Sequence, residues 1–376
     1  MIRVWLLLAL SMAMSSLSAQ APIPAPPQIG ATSYILMDYA SGRILAASNA
    51  EERVEPASLT KLLTAYTAFH ALRGGQVALD DEVLVSEKAW RMQGSRMFIE
   101  VDTRVPLEDL FRGMIIQSGN DASVAIAEHI AGTEEAFVDL MNYHAALLGM
   151  VSSSFRNTTG LPDPDHYVTA SDVAKLSHAI IAEFPEYYGW YSETEFTYNE
   201  ISQYNRNSLL NRDDTVDGLK TGHTDAAGYC LVTSAERSGM RLISVVTGMA
   251  SARAREDGSL ALLNYGYRNF ETHKLYGAGQ PITSARVWKG DPAEASLGLT
   301  QDVFVTVPRG RYDALEAVMD IHAEILAPLS DGETVGAVSV SLDGEEVASA
   351  SLVALHDVGE ASFWMRLKDE LTLWLQ

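Results

Sequence analysis

Pro56-Ala57-Ser58-Leu59-Thr60-Lys61-Leu62-Leu63-Thr64-Ala65-Tyr66 is the stretch around which the chain is organised. Apolar residues recur at helical spacing after Pro56, which predicts a helix that begins near Ser58. Ser58 and Lys61 are three residues apart, so they share one helix face about one turn from each other. Lys61 can take the proton of the Ser58 hydroxyl only if desolvation or a neighbouring cation lowers its pKa. Ser-x-x-Lys is a weak signal alone, because it also occurs on helices with a solvated lysine.

A second polar element interrupts a helical pattern. Residues 107–116 and 121–130 both have helical spacing, and Ser118-Gly119-Asn120 lies between them. The sequence therefore predicts that Ser118 and Asn120 occupy a tight joint between two helices.

A third element is Asp217-Gly218-Leu219-Lys220-Thr221-Gly222-His223-Thr224, which has the length and flanks of a strand. A glycine inside a strand, here Gly222, often marks close backbone approach by a ligand or another chain. Lys220 and the hydroxyl of Thr221 could hold a carboxylate. An edge strand with a solvated lysine is the alternative for this stretch alone.

The three elements together are Ser-x-x-Lys, Ser-x-Asn and Lys-Thr-Gly in that order, the motif set of penicillin-binding proteins and serine β-lactamases. The chain further resembles the low-molecular-mass D-alanyl-D-alanine carboxypeptidases at Ile116-Gln117-Ser118-Gly119-Asn120-Asp121-Ala122-Ser123 and Gly160-Leu161-Pro162-Asp163-Pro164-Asp165-His166-Tyr167. The similarity runs from about residue 31 through the C-terminal helix. It implies an α+β fold with a transpeptidase-like domain, a β-rich domain and an amphipathic anchor.

Chemistry and resemblance together imply the catalytic roles. Ser58 is expected to attack the D-Ala-D-Ala peptide bond and become acylated, with Lys61 as its general base. Ser118 is expected to relay a proton to the leaving amine, and Lys220 to tune Lys61 and Ser118 electrostatically. Asn120 is expected to orient Lys61 and to hold the peptide amide.

The resemblance also implies a substrate side of the site. Lys220 and Thr221 are expected to hold the terminal carboxylate, and the backbone N–H groups of Ser58 and His223 to form the oxyanion hole. Arg206 is a possible second carboxylate contact, since a guanidinium matches that geometry, and a structural salt bridge is the alternative. The implied ligands are peptidoglycan pentapeptide stems, with β-lactams as covalent inhibitors.

The chain divides into five predicted segments. Residues 1–21 combine a positive start, an apolar run too short to span a bilayer and small residues for cleavage, which predicts a secretory signal. An uncleaved anchor is the alternative. Residues 22–30 form a proline-rich tether. In residues 31–276, strands at both ends enclose a helical insert, which predicts one antiparallel sheet with helices on its faces. Within this segment we expect a helix over 172–182 capped by Ser171, strands over 228–235 and 240–248, and a helix over 259–270. Residues 277–281 are the expected domain linker. Short strand-like runs, including 334–342, predict a small all-β domain in residues 277–357, and residues 358–376 contain the amphipathic helix.

Composition restricts the partners and the location. The formal net charge of −22 argues against a nucleic-acid partner, because phosphates need a cationic surface. Cys230 is the only cysteine, so no intramolecular disulfide forms. No His or Cys spacing predicts a metal site, and no cofactor is expected. The signal predicts export to the periplasm.

Residues 363–376 predict an amphipathic helix that attaches to the outer face of the inner membrane. Its apolar face comprises Phe363, Trp364, Leu367, Leu371, Trp374 and Leu375. A helix packed on the β domain and a dimer contact are the alternatives.

Three other functions share the same residues. A class A β-lactamase uses a glutamate on a loop after Ser-x-Asn, but no glutamate lies between Glu135 and Glu183, and Glu195 stands too late. A transpeptidase or endopeptidase cannot be told from a carboxypeptidase by these residues. A weakly active protein that binds the cell wall and determines cell shape is disfavoured by the complete motif set.

Overall fold

An antiparallel five-stranded sheet underlies the N-terminal domain in the computed structural model, which describes residues 23–375. The predicted signal of residues 1–21 lies outside the described residues. The strands of this domain are β1 (Ser33–Asp38), β2 (Ile44–Ser48), β3 (Glu82–Leu84), β4 (Arg104–Pro106), β5 (Glu195–Tyr198), β6 (Ile201–Tyr204), β7 (Val216–Thr224), β8 (Gly228–Arg237) and β9 (Met240–Met249). The sheet order is β2-β1-β9-β8-β7. N- and C-terminal strands thus join in one sheet, as the sequence predicts.

Helices cover both faces of this sheet. They are α1 (Thr60–Arg73), α2 (Glu87–Trp90), α3 (Leu107–Ile116), α4 (Asn120–Ala131), α5 (Glu134–Leu147), α6 (Ala170–Glu183), α7 (Pro185–Tyr188) and α8 (Ala252–Asn269). The first seven helices pack mainly in one large core, and α8 packs on the other face of the sheet. Ten consecutive residues of α1, from Thr60 to Phe69, are buried, so this helix is enclosed on all sides.

The C-terminal domain consists of strands. They are β10 (Phe270–Tyr276), β11 (Thr283–Trp288), β12 (Gly290–Asp291), β13 (Glu294–Gly298), β14 (Val303–Pro308), β15 (Leu315–Ile321), β16 (Ile325–Leu326), β17 (Thr334–Leu342), β18 (Glu345–Ala354) and β19 (Gly359–Glu360). Six of them form a sheet in the order β15-β17-β18-β13-β11-β16, while β10 pairs with β14 and β12 with β19. The last helix, α9 (Phe363–Trp374), follows this domain.

A polar network joins the two domains. The buried carboxylate of Asp38 accepts hydrogen bonds from the Ser41 hydroxyl at 2.7 Å and from the Thr272 hydroxyl at 2.7 Å. The Arg43 guanidinium donates to the backbone carbonyl of Thr306. Because these partners lie on β10, β14 and the hairpin between β1 and β2, the two domains are fixed to each other.

Several element boundaries differ from the sequence-based prediction. Ser58 lies in a 3₁₀ turn, Ala57–Leu59, and α1 itself begins at Thr60. Thr169, rather than Ser171, caps α6, since its side chain accepts from the backbone N–H of Asp172. α8 begins at Ala252, seven residues before the predicted start, because its first turns are polar and lack the expected apolar spacing.

α9 presents its apolar side chains to solvent. Its polar side contacts the β domain, where Asp369 accepts from Arg286 at 2.8 Å and from the backbone N–H of Lys289 at 2.8 Å. Trp364 is 76% exposed and Trp374 is 83% exposed. No helix within residues 23–375 is both long and apolar enough to cross a membrane.

Candidate active site

The turn that carries Ser58 is packed between two glycines from distant parts of the chain. Ala57 has a positive φ of 46°, which a residue with a Cβ rarely adopts. A Cβ added at Gly160 would lie 1.7 Å from the Ala57 carbonyl oxygen, and one added at Gly222 would lie 3.3 Å from the Ser58 nitrogen. Gly222 therefore does mark a close approach, and the approaching group is the Ser58 turn itself.

Lys61 lies directly behind Ser58 in the enclosed first turn of α1. Its ammonium group is 3.0 Å from Ser58 Oγ, 2.7 Å from Asn120 Oδ1 and 2.8 Å from the carbonyl oxygen of Thr159. The side chain is 2% exposed. Burial lowers the pKa of Lys61 from 10.5 to about 7, against the opposing attraction of the Asp121 carboxylate. A lysine in this state can act as a base near neutral pH.

The joint between α3 and α4 brings Ser118 and Asn120 to the same place. Ser118 has a φ of 67°, and its hydroxyl is buried without a hydrogen-bond partner among the described residues. Asn120 donates from Nδ2 to the carbonyl of Gln93 at 2.6 Å while its Oδ1 accepts from Lys61. The next residue, Asp121, is fully buried and accepts from the backbone N–H groups of residues 97, 98 and 99.

Strand β7 forms the opposite wall. Lys220 is 2% exposed and donates to the carbonyl of Thr221 at 3.2 Å. Burial, followed by the positive charges of Lys61, Arg255 and Arg206, holds the pKa of Lys220 well below its usual value. His223 is exposed, and its ring packs on that of Tyr229 at 4.0 Å between centroids.

A cavity of about 310 Å³ connects these groups. It is lined by Ser58, Ser95, Ser118, Arg206, Thr221, Gly222, His223, Tyr229, Ala252 and Arg255. Lys61 and Asn120 are hydrogen-bonded behind Ser58, and Lys220 lies buried behind the wall. The structure thus brings every predicted site residue to one location. A larger cavity of about 520 Å³ lies between the domains and contains none of them.

Five residues of the site escape the sequence-based prediction: Ser95, Thr159, Tyr229, Ala252 and Arg255. Arg255 is buried. Its guanidinium donates to the backbone carbonyl of Gly222 at 3.2 Å and to the backbone carbonyl of Arg206. Arg253 and Arg255 stand in the first turn of α8, where the helix dipole disfavours cations. The predicted helix began after Arg255, so this placement could be recognised only in the structure. Arg206 contacts the side chain of Gln117 at 3.2 Å and faces the cavity.

Comparison with known proteins settles the family. Residues 19–251 match the family model described as D-alanyl-D-alanine carboxypeptidase. The chain belongs to this family. Residues 270–360 match the model described as the C-terminal domain of penicillin-binding protein 5. These matches confirm the predicted fold class and the predicted enzyme class, a serine-type D-alanyl-D-alanine carboxypeptidase that binds penicillin.

Relatives align over nearly the whole carboxypeptidase chain. D-alanyl-D-alanine carboxypeptidase DacA of Haemophilus influenzae is 45% identical over 93% of this chain and 90% of the relative. DacA of Escherichia coli strain K12 is 42% identical over 95% and 91%, respectively. The crystal structure of penicillin-binding protein 5 from H. influenzae superposes with a TM-score of 0.86, at 45% identity, covering 90% of this chain and all of that one.

A more distant solved structure has ampicillin bound. Penicillin-binding protein D2 from Listeria monocytogenes, in its ampicillin-bound form, has a TM-score of 0.60 at 28% identity. It covers 65% of this chain and 100% of that chain.

Proposed function

We propose that this carboxypeptidase removes the terminal D-alanine from peptidoglycan pentapeptide stems through an acyl-enzyme on Ser58. The observation that carries this proposal is the 3.0 Å contact between Ser58 Oγ and the desolvated amine of Lys61, whose pKa is lowered to about 7. A nucleophile and a base within hydrogen-bond reach, with the base oriented by a third group, are the requirements for covalent catalysis.

In the acylation step, Ser58 Oγ attacks the carbonyl carbon of the D-Ala-D-Ala bond while its proton moves to Lys61 Nζ. The developing oxyanion would lie between the backbone N–H groups of Ser58 and His223. The close approach of Gly222 to the Ser58 turn supports this arrangement, because it brings β7 alongside the nucleophile. Each donor of an oxyanion hole contributes about 10²–10³-fold to the rate.

The second half of acylation breaks the C–N bond, and the leaving amine takes a proton. Ser118 is suited to deliver it, since its hydroxyl lines the cavity and has no partner among the described residues. The proton would come from Lys61, directly or through Ser118. When protonated, Lys220 would lower the cost of this transfer, because a nearby positive charge favours the neutral form of Lys61. Water then hydrolyses the ester and frees Ser58.

The cationic end of the cavity would bind the substrate carboxylate. Thr221, Arg206 and Arg255 line it, and Lys220 lies directly behind it. A net charge of −22 makes such a local cluster of cations unusual for this chain. A β-lactam, which bears a carboxylate and a strained amide, would occupy the same place and acylate Ser58.

The finer location of the enzyme is also a proposal. We infer export to the periplasm from the composition of residues 1–21, and peripheral attachment to the inner membrane through α9. The orientation of α9 supports attachment, because its Asp369 side faces the β domain and its two tryptophans face solvent. The substrate would then lie on the same side of the membrane as the enzyme.

A covalent-adduct experiment tests the proposed nucleophile. Mature protein is incubated with a penicillin and with a pentapeptide stem, and intact mass and free D-alanine are measured. We expect one penicillin adduct and release of D-alanine by the native protein, and neither by Ser58→Ala. Heat-denatured protein of the unsubstituted sequence is the control for non-specific acylation. An adduct that maps to another serine would contradict the mechanism, and transfer of the acyl group to an added amine would favour transpeptidation.

A further inference from the structure

The hydrogen-bond partners of Lys61 determine where its lone pair points. A neutral amine has two N–H donors and one lone pair. Asn120 Oδ1 and the carbonyl oxygen of Thr159 can only accept hydrogen bonds, and they lie 2.7 Å and 2.8 Å from Lys61 Nζ. When both N–H groups donate to these oxygens, the lone pair is left facing Ser58 Oγ at 3.0 Å. The Thr159 carbonyl is therefore as important for general-base geometry as the Asn120 side chain.

The Asn157 side chain binds the backbone on both sides of the Thr159 carbonyl, while Glu134 and Thr64 bind the preceding residue, Thr158. Asn157 Oδ1 accepts from the backbone N–H of Thr159 at 3.1 Å, from the Thr159 hydroxyl at 3.1 Å and from the backbone N–H of Gly160 at 2.7 Å. Asn157 Nδ2 donates to the carbonyl of Leu161 at 3.0 Å. These four contacts define the turn whose backbone reaches Lys61 on one side and the Ser58 turn on the other.

We propose that Asn157 is a positioning residue for Lys61, because its amide fixes the turn whose Thr159 carbonyl directs the lysine lone pair at Ser58. This inference rests on the proposed acyl-enzyme mechanism and adds a residue outside its three motifs. Asn157 does not line the cavity and touches neither reacting atom, so it acts through Thr159.

The alternative is that Asn157 only stabilises the loop, and the electrostatics of the site allow the two roles to be separated. The charge that bears on Lys61 is Asp121 on α4, which stays in place when Asn157 is replaced. Lys220 on β7, whose own pKa is lowered by Lys61, and Glu134 on α5, which binds Thr158, also stay in place. The loop itself carries Arg156, Asp163, Asp165 and His166. Arg156 and Asp165 form an exposed pair, while buried His166 contacts the Thr60 hydroxyl at 3.0 Å. A change in the pH profile is therefore attributable to Lys61 and its acceptors.

The test measures the rate of acylation by a penicillin as a function of pH, together with kcat and KM for a peptide substrate. Asn157→Ala removes all four contacts, so we expect the rate at the high-pH plateau to fall roughly 10- to 100-fold with KM within about twofold of the native value. Asn157→Asp retains an acceptor for both backbone N–H groups and should recover most of that loss. Its added negative charge should move the acid limb of the profile to higher pH.

Asn142→Ala is the matched control. Asn142 fastens the same loop two residues before Asn157, through Phe155, donating to its carbonyl at 2.9 Å and accepting from its N–H at 3.1 Å. We expect this variant to lose thermal stability and to keep the native plateau rate and pH limb.

Three results would overturn the proposal: a native plateau rate in Asn157→Ala, equal rate losses in the Asn142 and Asn157 variants once corrected for folded fraction, or a raised KM with native kcat. If Asn157→Ala does not fold, the proposal is overturned by an Asn157→Asp variant whose acylation rate has the same acid limb in its pH profile as the native enzyme. Failure of the acyl-enzyme mechanism itself can be distinguished from failure of this proposal, because the native protein would then form no adduct at Ser58.

Discussion

Burial determines the chemistry of the two lysines in this site. Both Lys61 and Lys220 are 2% exposed, and desolvation is the largest cause of the lowered pKa of each. The motif residues and their order could be read from the sequence, and so could the general requirement for desolvation. The enclosure of α1 could not, because it depends on helices α3, α4, α5 and α6 that pack around it.

Residues that act through the backbone were also beyond sequence reasoning. Thr159 contributes its carbonyl oxygen, which any residue would provide, so its side chain gave no indication of a role. Arg255, which acts through its side chain, was missed for a different reason. Its helix starts with polar residues, and the predicted helix began after Arg255. Short motifs report side chains with chemistry, whereas backbone contacts depend on how distant segments meet.

The first prediction concerns the pH dependence of Lys61. The neutral amine is the form that acts as base, and a pKa of about 7 means that it is populated above about pH 7. The acylation rate should therefore rise as the pH increases through about 7 and be lost below it. In the same folded protein, the lowered pKa makes stability increase with pH between about 7 and 10.5, where the unfolded chain binds the extra proton.

Rates of penicillin acylation across this range give the measurement, and Lys61→Arg gives the control. A guanidinium stays protonated at every accessible pH, so the variant should lose about 10²–10⁴-fold in rate and show no rise. The expectation would be contradicted if the acylation rate of the native enzyme rose near the usual lysine pKa instead of near pH 7.

At the scale of elements, periodicity predicted the regular parts of the fold. The sequence-based bounds of α3 and β17 agree with the structure, and those of β7, β8 and β9 agree closely, because their apolar spacing is sustained. β10 was not predicted, since its apolar and polar residues do not alternate in a way that gives one clear apolar face. It pairs with β14, across the point where the domain linker was expected.

The second prediction tests the contact between β7 and the Ser58 turn. A Cβ at Gly222 would lie 3.1 Å from the Pro56 carbonyl oxygen and 3.2 Å from the Ala57 Cβ, so the turn must shift. We expect Gly222→Ala to lower stability by about 1–3 kcal/mol. The same shift, a few tenths of an ångström, should lower kcat severalfold, because a displacement of about 1 Å in a catalytic group can cost about 10²-fold.

Gly359→Ala is the control, since Gly359 lies in strand β19 and a Cβ there meets nothing within 4 Å. Thermal unfolding and steady-state kinetics with a peptide substrate give the two readouts. A Gly222→Ala enzyme with native kcat would show that the approach of β7 is a matter of packing alone.

For the whole molecule, the arrangement of the domains gives the cavity and α9 fixed relative positions. The Asp38 network joins the domains, and Asp369 joins α9 to the β domain. Lys289 also pairs with Glu370, and Arg366 of α9 pairs with Glu360 of β19, so α9 has three ionic contacts with the β domain. The sequence predicted the apolar face of this helix but not that its acidic residues would hold that face outward, because the partners Arg286 and Lys289 lie some 80 residues earlier.

The last prediction concerns attachment of α9 to a membrane. Trp364, Leu371 and Trp374 are each more than half exposed, and each would stabilise the bound state by at most about 1.5–3 kcal/mol on entering a lipid interface. Because α9 is too short to span a bilayer, attachment should be reversible and peripheral. Removing residues 362–376 should abolish flotation of the mature protein with liposomes. Cleavage of a small peptide should persist, since the deleted residues do not line the active-site cavity.

Replacing Trp364 and Trp374 together with alanine is the matched control, since it keeps the helix and its contacts through Asp369. We expect this variant to float less than the native protein and to retain full peptide cleavage. Flotation that is unchanged by both the deletion and the double substitution would exclude α9 as the anchor. The exposed face would then be better explained as a contact between proteins, which sedimentation of the native and substituted chains would detect as a difference in oligomeric state.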